Sequence, residues 1–242
     1  VDTFLNPAMI FRYNVLTEET EYRLLETNGG RICTCESACL KYILPGSSRI
    51  RYFLFGIVDL SRCIFSTRIA EYHPFKLYLE ELPVWDGVDR LAALARRVSR
   101  DQLWVKEFHI WMRGMTAQWM GVTGSHANSV APLLISTEQG YFKSTFCKSL
   151  LPPALQRYYM DKVDLTSQGH IERRLAEMGL LNLDEFDKYA PTKMPLLKNL
   201  MQMASLSLCK AYQKNYRSLP RIASFIGTCG TFGTNFNFFK NL

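Results

Sequence analysis

The chain has 242 residues, of which 48% are hydrophobic and 21% are charged, and this composition is typical of a globular protein with one large domain or two smaller ones. A formal net charge of +7 suits a polyanionic partner such as nucleic acid, although ordinary soluble proteins also carry such a charge. No export signal is recognisable, and the longest apolar region, residues 50–65, is too short and too charged to span a membrane, so we expect a cytoplasmic protein without membrane contact.

Residues 1–72 form an N-terminal region of unknown role that begins with a predicted β-hairpin. Segments 9–16 and 20–27 interleave aromatic and β-branched residues with charged ones around a polar turn, which is typical of a half-exposed hairpin. Segments 37–43 and 52–69 could be helices, but they contain no motif that indicates a function.

Residues 73–128 are predicted to be a helical domain. Pro74 opens a first helix over residues 75–82, which Pro83 and the following turn end. Asp86 is the predicted N-cap of the next helix, residues 88–98, because an aspartate accepts hydrogen bonds from the first free backbone N–H groups.

A longer helix is predicted over residues 103–120, followed by a loop at 121–128 that we interpret as the domain boundary. Its large apolar residues recur at three- and four-residue spacings, namely Trp104, Phe108, Trp111, Met115 and Trp119. Exposed aromatic rings could stack nucleic-acid bases, but this spacing is typical of a helix face that packs against a core.

From residue 131 the pattern changes to strands alternating with helices, which predicts a parallel sheet covered by helices. The apolar segment 131–136 is followed by a loop around Gly140 and then by Lys143 and Ser144 at the start of a predicted helix. Strand, glycine loop, Lys-Ser and helix is the layout of a phosphate-binding P-loop. Backbone N–H groups of such a loop bind phosphates, the lysine reaches the β- and γ-phosphates, and the hydroxyl ligates Mg²⁺.

The P-loop pattern G-x-x-x-x-G-K-[ST] is incomplete here. Thr137 and Phe142 occupy its two outer glycine positions. A glycine before the lysine allows backbone dihedrals that are closed to bulky residues, and it lets the backbone approach the phosphates. Phe142 is therefore expected to crowd the γ-phosphate region and to weaken or abolish ATP binding.

A second motif, which is acidic, follows the glycine loop in sequence, as a P-loop protein requires. The apolar segment 180–183 ends in Asp184 and Glu185, and acids at the end of a parallel strand lie at the mouth of the sheet. In a Walker B element the aspartate holds Mg²⁺ through water or through Ser144, and the glutamate polarises the attacking water. A helix at 192–204, an extended segment at 206–216 and a strand at 222–226 are predicted to follow.

The chain resembles the virulence-associated protein E (VirE) family, especially the branch found in Bacteroides-type genomes. Its members resemble superfamily 3 helicases and often accompany primase domains in mobile elements. The resemblance covers roughly residues 72–228 and rests on long motifs in the correct order, among them YLEELPVWDGVDRLAALARRV, ERRLAEMGLLNLDEFDKY and KAYQKNYRSLPRIASFIGT.

This resemblance implies an α/β fold, with an AAA+-like P-loop NTPase core, similar to superfamily 3 helicases, over residues 129–242. ATP and Mg²⁺ are the implied cofactors, with Glu185 as the catalytic residue and Ser144 and Asp184 as the metal ligands. The implied nucleotide-binding residues are Gln139, Gly140, Lys143, Ser144 and Thr145. The implied DNA-binding residues, which could equally form an ordinary solvated basic face, are Lys198, Lys210, Lys214 and Arg217.

The implied function is that of an ATP-binding, helicase-like ATPase in a mobile-element or phage-type replication protein. It would act on single-stranded or forked DNA without sequence specificity, as a homo-oligomeric ring and with a primase partner. The alternative is a catalytically inactive, truncated P-loop fold that binds nucleic acid or protein. Phe142 favours this alternative, as does Cys229-Gly230, which stands where the family has a polar residue and a sensor asparagine. The tail over residues 230–242 is rich in Phe, Asn and Gly, and we expect it to reflect a frameshift or truncation.

Overall fold

The computed structural model describes residues 9–24, 33–34, 69–124, 126–138, 140–209 and 216–230. The chain falls into two compact units, Val1–Leu77 and Tyr78–Leu242. The helix predicted at 37–43, nearly all of the one at 52–69 and the tail from residue 231 lie outside the described residues. The three-part division expected from the sequence stays a prediction.

The first unit contains a small sheet of order β3-β2-β1-β4. Its centre is the predicted hairpin, in which β1 (Met9–Asn14) pairs antiparallel with β2 (Glu19–Leu24). β3 (Cys33–Thr34) extends the sheet beside β2, and β4 (Glu71–Tyr72) pairs parallel with β1. The buried Asn14 amide donates a 2.8 Å hydrogen bond to Glu21 Oε1 and its carbonyl oxygen accepts from the turn backbone, so the hairpin prediction is confirmed.

Two short helices follow, α1 (Pro74–Glu80) and α2 (Arg90–Ala95). The N-cap of α2 is Asp89, whose carboxylate accepts from Ala92 N at 2.9 Å. The prediction that Asp86 caps this helix is wrong. Asp86 lies three residues earlier and forms a bidentate ion pair with Arg90 at 2.7 and 2.6 Å, which lowers the pKa of the Asp86 carboxyl to about 2.

The long helix α3 (Gln102–Met120) begins at the N-cap Asp101 and ends at Gly121, whose left-handed backbone (φ 71°) suits glycine. The predicted packing stripe is confirmed, since the exposed fractions of Phe108, Trp111, Met115 and Trp119 are between 0 and 5%. Trp119 also donates from its indole N–H to the carbonyl of Gly179 at 3.1 Å. Among the helices of the described residues, none combines the length and the hydropathy that crossing a membrane requires.

The second unit is built on a four-stranded, all-parallel sheet flanked by helices, as predicted. Its strands in chain order are β5 (Leu133–Ile135), β6 (Tyr159–Met160), β7 (Leu180–Leu183) and β10 (Ser224–Cys229). Their spatial order is β5-β10-β7-β6, so the last strand lies between the strand that precedes the glycine loop and the strand that precedes the acids. Every residue of β7 and β10 is buried.

Three helices complete this layer, α4 (Lys143–Ser149), α5 (Gln168–Glu177) and α6 (Met194–Gln202). The apolar residues of α5 and α6 pack with β7 and β10 into one core cluster, whose fully buried members include Ile171, Leu175, Leu183, Leu197, Leu200 and Phe225. The ends of β5, β7 and β10 are thereby fixed beside one another, and these ends carry the candidate site.

Between α6 and β10 the chain forms an antiparallel hairpin, β8 (Ser205–Cys209) and β9 (Tyr216–Pro220). The single extended segment predicted at 206–216 is therefore two paired strands, and residues 210–215 lie outside the described residues. The strand predicted at 222–226 begins at Ser224, because the N–H groups of residues 222 and 223 donate to the carbonyl of Leu175.

Arg221, just before β10, is a buried cation with an exposed fraction of 1%. Its guanidinium donates to the carbonyls of Leu200 (2.9 Å) and Met201 (2.6 Å) near the end of α6, and to that of Asn128 (2.5 Å). Burial lowers the pKa of Arg221 to about 10, so the side chain remains charged at neutral pH. The guanidinium thus ties the loop before β5, α6 and the start of β10 together.

Candidate functional site

Two described residues in the loop between β5 and α4 have a positive φ angle. Gly140 has φ 86°, which glycine adopts without strain, and Phe142 has φ 53°, which a bulky residue adopts at a cost. The position at which the P-loop pattern asks for glycine is thus left-handed in this chain while it carries phenylalanine. Gln139, expected to bind nucleotide, lies outside the described residues.

Lys143, the first residue of α4, reaches back across this loop. Its ammonium donates a 2.8 Å hydrogen bond to the carbonyl of Ser136, and its side chain is half-buried. An ammonium has three donors, and this contact uses one of them. Lys143 therefore places a positive charge over the loop, where the P-loop pattern requires it.

Ser144 and Asp184 meet although they lie 40 residues apart in sequence. The Ser144 hydroxyl donates to Asp184 Oδ1 at 3.0 Å, because α4 begins opposite the end of β7. Mg²⁺ prefers oxygen ligands and usually takes one or two protein groups together with phosphates and water. The pair fits that ion, and the described residues contain no cluster of three or more His, Cys, Asp or Glu residues suited to a metal.

Glu185 follows at the same edge of the sheet, again with a left-handed backbone (φ 51°). Its carboxylate is exposed and forms a 2.6 Å ion pair with Lys188, which raises the pKa of that lysine. Glu185, which was predicted from the sequence as the catalytic residue, thus follows Asp184 of the candidate metal-binding pair, and in this structure its carboxylate is paired with Lys188.

Thr228, near the end of β10, is a residue that sequence reasoning missed. It is 3% exposed, its hydroxyl donates to Asp184 Oδ1 at 2.5 Å, and its Oγ1 accepts a 3.3 Å hydrogen bond from the backbone N–H of Glu185. One hydroxyl therefore connects both acidic residues to β10. The strand β10 carries a second hydroxyl residue, Ser224, so the sequence offered no signal that singles out Thr228.

Asp187 and Cys147 lie close to the same acids. Burial acts to raise the pKa of Asp187, but hydrogen bonds, including one from Gly230 N at 3.3 Å, hold that pKa below its usual value. Burial, with the nearby charge of Asp184, raises the pKa of the Cys147 thiol to about 12. A thiol with that pKa is not a nucleophile at neutral pH, so cysteine chemistry has no support here.

Two of the four predicted DNA-binding residues, Lys198 and Arg217, lie within the described residues. Lys198 is half-buried on α6, and Arg217 is exposed on β9. Lys210 and Lys214 lie outside the described residues, in the segment that connects the paired residues Cys209 and Tyr216. Thr145, the last of the predicted nucleotide-binding residues, is exposed in the first turn of α4.

Comparison with solved structures finds three similar chains, of which the one with a TM-score of 0.50 supports the fold. Three chains of the C-terminal region of NrS-1, all in apo form, are 10, 11 and 12% identical to this chain, with TM-scores of 0.48, 0.47 and 0.50. They cover 92 to 93% of this chain, and this chain spans about half (54%) of each of them. At this identity the likeness concerns the fold alone.

No curated protein matches the sequence. The family described as the virulence-associated protein E-like domain matches residues 79–232, which is well over half of the chain and includes the glycine loop, the acids of β7 and Thr228. The resemblance noted in the sequence motifs is thereby confirmed. This chain belongs to the virulence-associated protein E-like domain family.

Proposed function

We propose that this chain binds Mg-ATP at the mouth of its parallel sheet, as the nucleotide-binding core of a helicase-like protein in mobile-element or phage-type replication. Membership of the virulence-associated protein E-like family supports the biological setting. The observation that carries the proposal is the 3.0 Å contact between Ser144 and Asp184, because it joins the two halves of a Walker-type site across 40 residues of sequence.

Each residue of the proposed site has a role that follows from the chemistry of its side chain or backbone. Lys143 neutralises phosphate charge over the loop, and Gln139, Gly140 and Thr145 contribute to the phosphate seat. Ser144 and Asp184 hold Mg²⁺, which would neutralise charge between the β- and γ-phosphates. In this reading Thr228 keeps Asp184 in place, since its hydroxyl donates to the same carboxylate oxygen that accepts from Ser144.

Glu185 is the proposed general base that orients the attacking water. Its 2.6 Å ion pair with Lys188 would have to open for that role. Both side chains are exposed, and exposed ion pairs contribute little to stability, so such a change is inexpensive.

DNA is the proposed polyanionic partner, bound through α6 and the β8–β9 hairpin by Lys198, Lys210, Lys214 and Arg217. Contacts with phosphates would make binding independent of sequence. A homo-oligomeric ring and a primase partner belong to the same proposal, and membership of the virulence-associated protein E-like family is what supports them.

The second candidate is a non-catalytic P-loop fold that binds nucleic acid or protein. Two observations favour it: Phe142 adopts a glycine-like backbone at the mouth of the site, and Gly230 stands where the family has an asparagine. The two candidates differ in whether ATP binds and is cleaved.

Thermal unfolding of the full chain with and without Mg-ATP tests nucleotide binding. A ligand at about 100 times its Kd stabilises by about 2.7 kcal/mol, which corresponds to a rise in Tm of roughly 5–11 °C for a protein of this size. We expect this rise in the wild type and its loss in Lys143→Ala. Lys148→Ala removes a matched, exposed lysine from the same helix and should keep the full rise.

The absence of any rise at millimolar Mg-ATP would overturn the proposal. A rise without phosphate release would select the non-catalytic candidate. If the chain hydrolyses ATP, Glu185→Gln should keep the rise and abolish phosphate release, since it removes the base and leaves the phosphate and metal contacts intact.

A further inference from the structure

An open cleft of about 460 Å³ lies beside the glycine loop, between the turn that follows α2 and the first turns of α4. Its walls combine apolar and polar groups, and the lining residues used below are Arg97, Val98, Tyr141, Phe142, Lys143 and Phe146. The helix α3 holds this region in place, because the rings of Phe108 and Phe146 pack with their centroids 6.2 Å apart.

Two aromatic rings of the loop stand at the mouth of this cleft and are largely exposed, 62% for Tyr141 and 77% for Phe142. Phe142 in addition has a left-handed backbone. A strained backbone that carries an exposed apolar ring gains little from packing within the fold, and such strain concentrates at ligand-binding positions. The ring is therefore better explained by a ligand than by stability.

The cleft shares residues with the candidate phosphate-binding loop, and neither Ser144 nor Asp184 lines it. Lys143 and Thr145 line it, whereas Ser144, between them in sequence, turns its hydroxyl to Asp184. A ligand whose phosphates lie over the loop would extend its remaining part into the cleft. That part would meet aromatic faces, the apolar walls of Val98 and Phe146, and the exposed cation of Arg97.

We propose that this cleft is the base-binding subsite for a nucleoside triphosphate, in which the rings of Tyr141 and Phe142 stack on the nucleobase. This inference rests on the proposed function and names the residues that grip the base. This proposal replaces the expectation that Phe142 crowds the γ-phosphate: its exposed ring lines the cleft, where it would contribute affinity for the base. Every base has a π-face, so stacking predicts that ATP and GTP bind with affinities within about threefold of each other.

The test compares Mg-ATP with Mg-tripolyphosphate, which carries the phosphates but no base, by isothermal titration calorimetry of the full chain. Stacking on one aromatic residue is worth roughly five- to a hundredfold in affinity, so the wild type should bind ATP at least tenfold more tightly. Phe142→Leu keeps the bulk and the left-handed strain but removes the π-face. It should weaken ATP binding about tenfold and leave tripolyphosphate binding unchanged.

Two further variants test whether the effect comes from aromatic stacking at this cleft. Phe142→Trp enlarges the stacking face and should retain ATP binding. Tyr216→Leu removes a matched aromatic residue, 72% exposed on β9, and should change neither affinity.

Equal affinity of the wild type for the two ligands would overturn the base subsite and leave the phosphate seat standing. Equal weakening of both ligands in Phe142→Leu would assign Phe142 to the shape of the loop and also overturn the inference. If neither ligand binds the wild type, the proposed function and the inference fail together. A single-stranded oligonucleotide that displaces ATP and loses affinity in Phe142→Leu would assign the rings to a nucleic-acid strand instead.

Discussion

Phe142 combines a left-handed backbone, φ 53° and ψ 28°, with a ring that is 77% exposed. For a residue with a side chain this conformation costs about 1–2 kcal/mol, whereas glycine adopts it freely. The strain lies at the residue that ends the loop and begins α4. It is a local cost whose removal should be measurable in the free protein.

Phe142→Gly should therefore stabilise the chain by about 1 kcal/mol and raise Tm by roughly 2–4 °C in the absence of ligand. Differential scanning calorimetry measures the change. The matched control is Tyr141→Gly, at a neighbouring exposed aromatic residue that lies outside the positive-φ positions, and it should lower Tm because glycine there only adds unfolded-state entropy. A fall in Tm for Phe142→Gly would contradict the strain argument.

Among single residues, those with a local signature could be predicted and those defined by distant contacts could not. Lys143 and Ser144 follow a glycine loop, and Asp184 ends an apolar strand, so short-range pattern located them. Thr228 is one of two hydroxyl residues in a mostly apolar strand, a common and uninformative context. Its role arises only from the 2.5 Å contact with Asp184 across the sheet.

At the scale of elements, periodicity predicted the hairpin of β1 and β2, the packing face of α3 and the buried strand β7. Helix starts were less certain, since Asp86 and Asp89 offer the same capping chemistry three residues apart. Asp86 engages Arg90 in an ion pair, and this leaves the cap to Asp89. Local sequence favours both residues, and only the three-dimensional partners decide between them.

Arg221 holds three elements through backbone carbonyls, and we expect the substitution Arg221→Met to cost about 2–4 kcal/mol of the free energy of unfolding. Methionine fills a similar volume but leaves the carbonyls of Leu200, Met201 and Asn128 without these donors in the interior. Urea denaturation measures the loss. Arg113→Met, at an exposed site on α3, is the control and should change stability by less than about 0.5 kcal/mol. Equal effects of the two substitutions would contradict the proposed role of Arg221.

For the whole molecule, the parallel sheet with flanking helices could be predicted from alternating strands and helices, but its strand order could not. β5 and β7 carry the motifs, yet they do not pair, because β10 lies between them. Strand order depends on contacts between segments far apart in sequence, and no local pattern encodes them. The residue pattern alone predicted a parallel sheet covered by helices, whereas the P-loop NTPase fold was predicted from the family resemblance.

A net charge of +7 by itself favours weak contact with any polyanion, so the prediction for the proposed DNA binding concerns which basic residues make the contacts. Replacing Lys198, Lys210, Lys214 and Arg217 by glutamine should reduce the slope of log Kd against log salt by about 3 for single-stranded DNA. Fluorescence anisotropy at several salt concentrations measures this slope. The control removes four exposed basic residues of equal charge from the α2–α3 region, Arg96, Arg100, Lys106 and Arg113. Equal slopes for the two variants would show that DNA binding follows net charge and not the hairpin segment.

The position of β10 also has a consequence for the growing polypeptide. Among the described strands, β5 pairs with β10 alone, whereas β7 pairs with β6 as well as with β10, so β5 has no strand partner until residues 224–229 have left the ribosome's exit tunnel. Until then the strand that lies between β5 and β7 is missing, and Thr228, whose hydroxyl donates to Asp184, is not yet made. The candidate site is thus completed by the final strand of the described fold, so a nascent chain acquires its candidate chemistry only after β10 has been made.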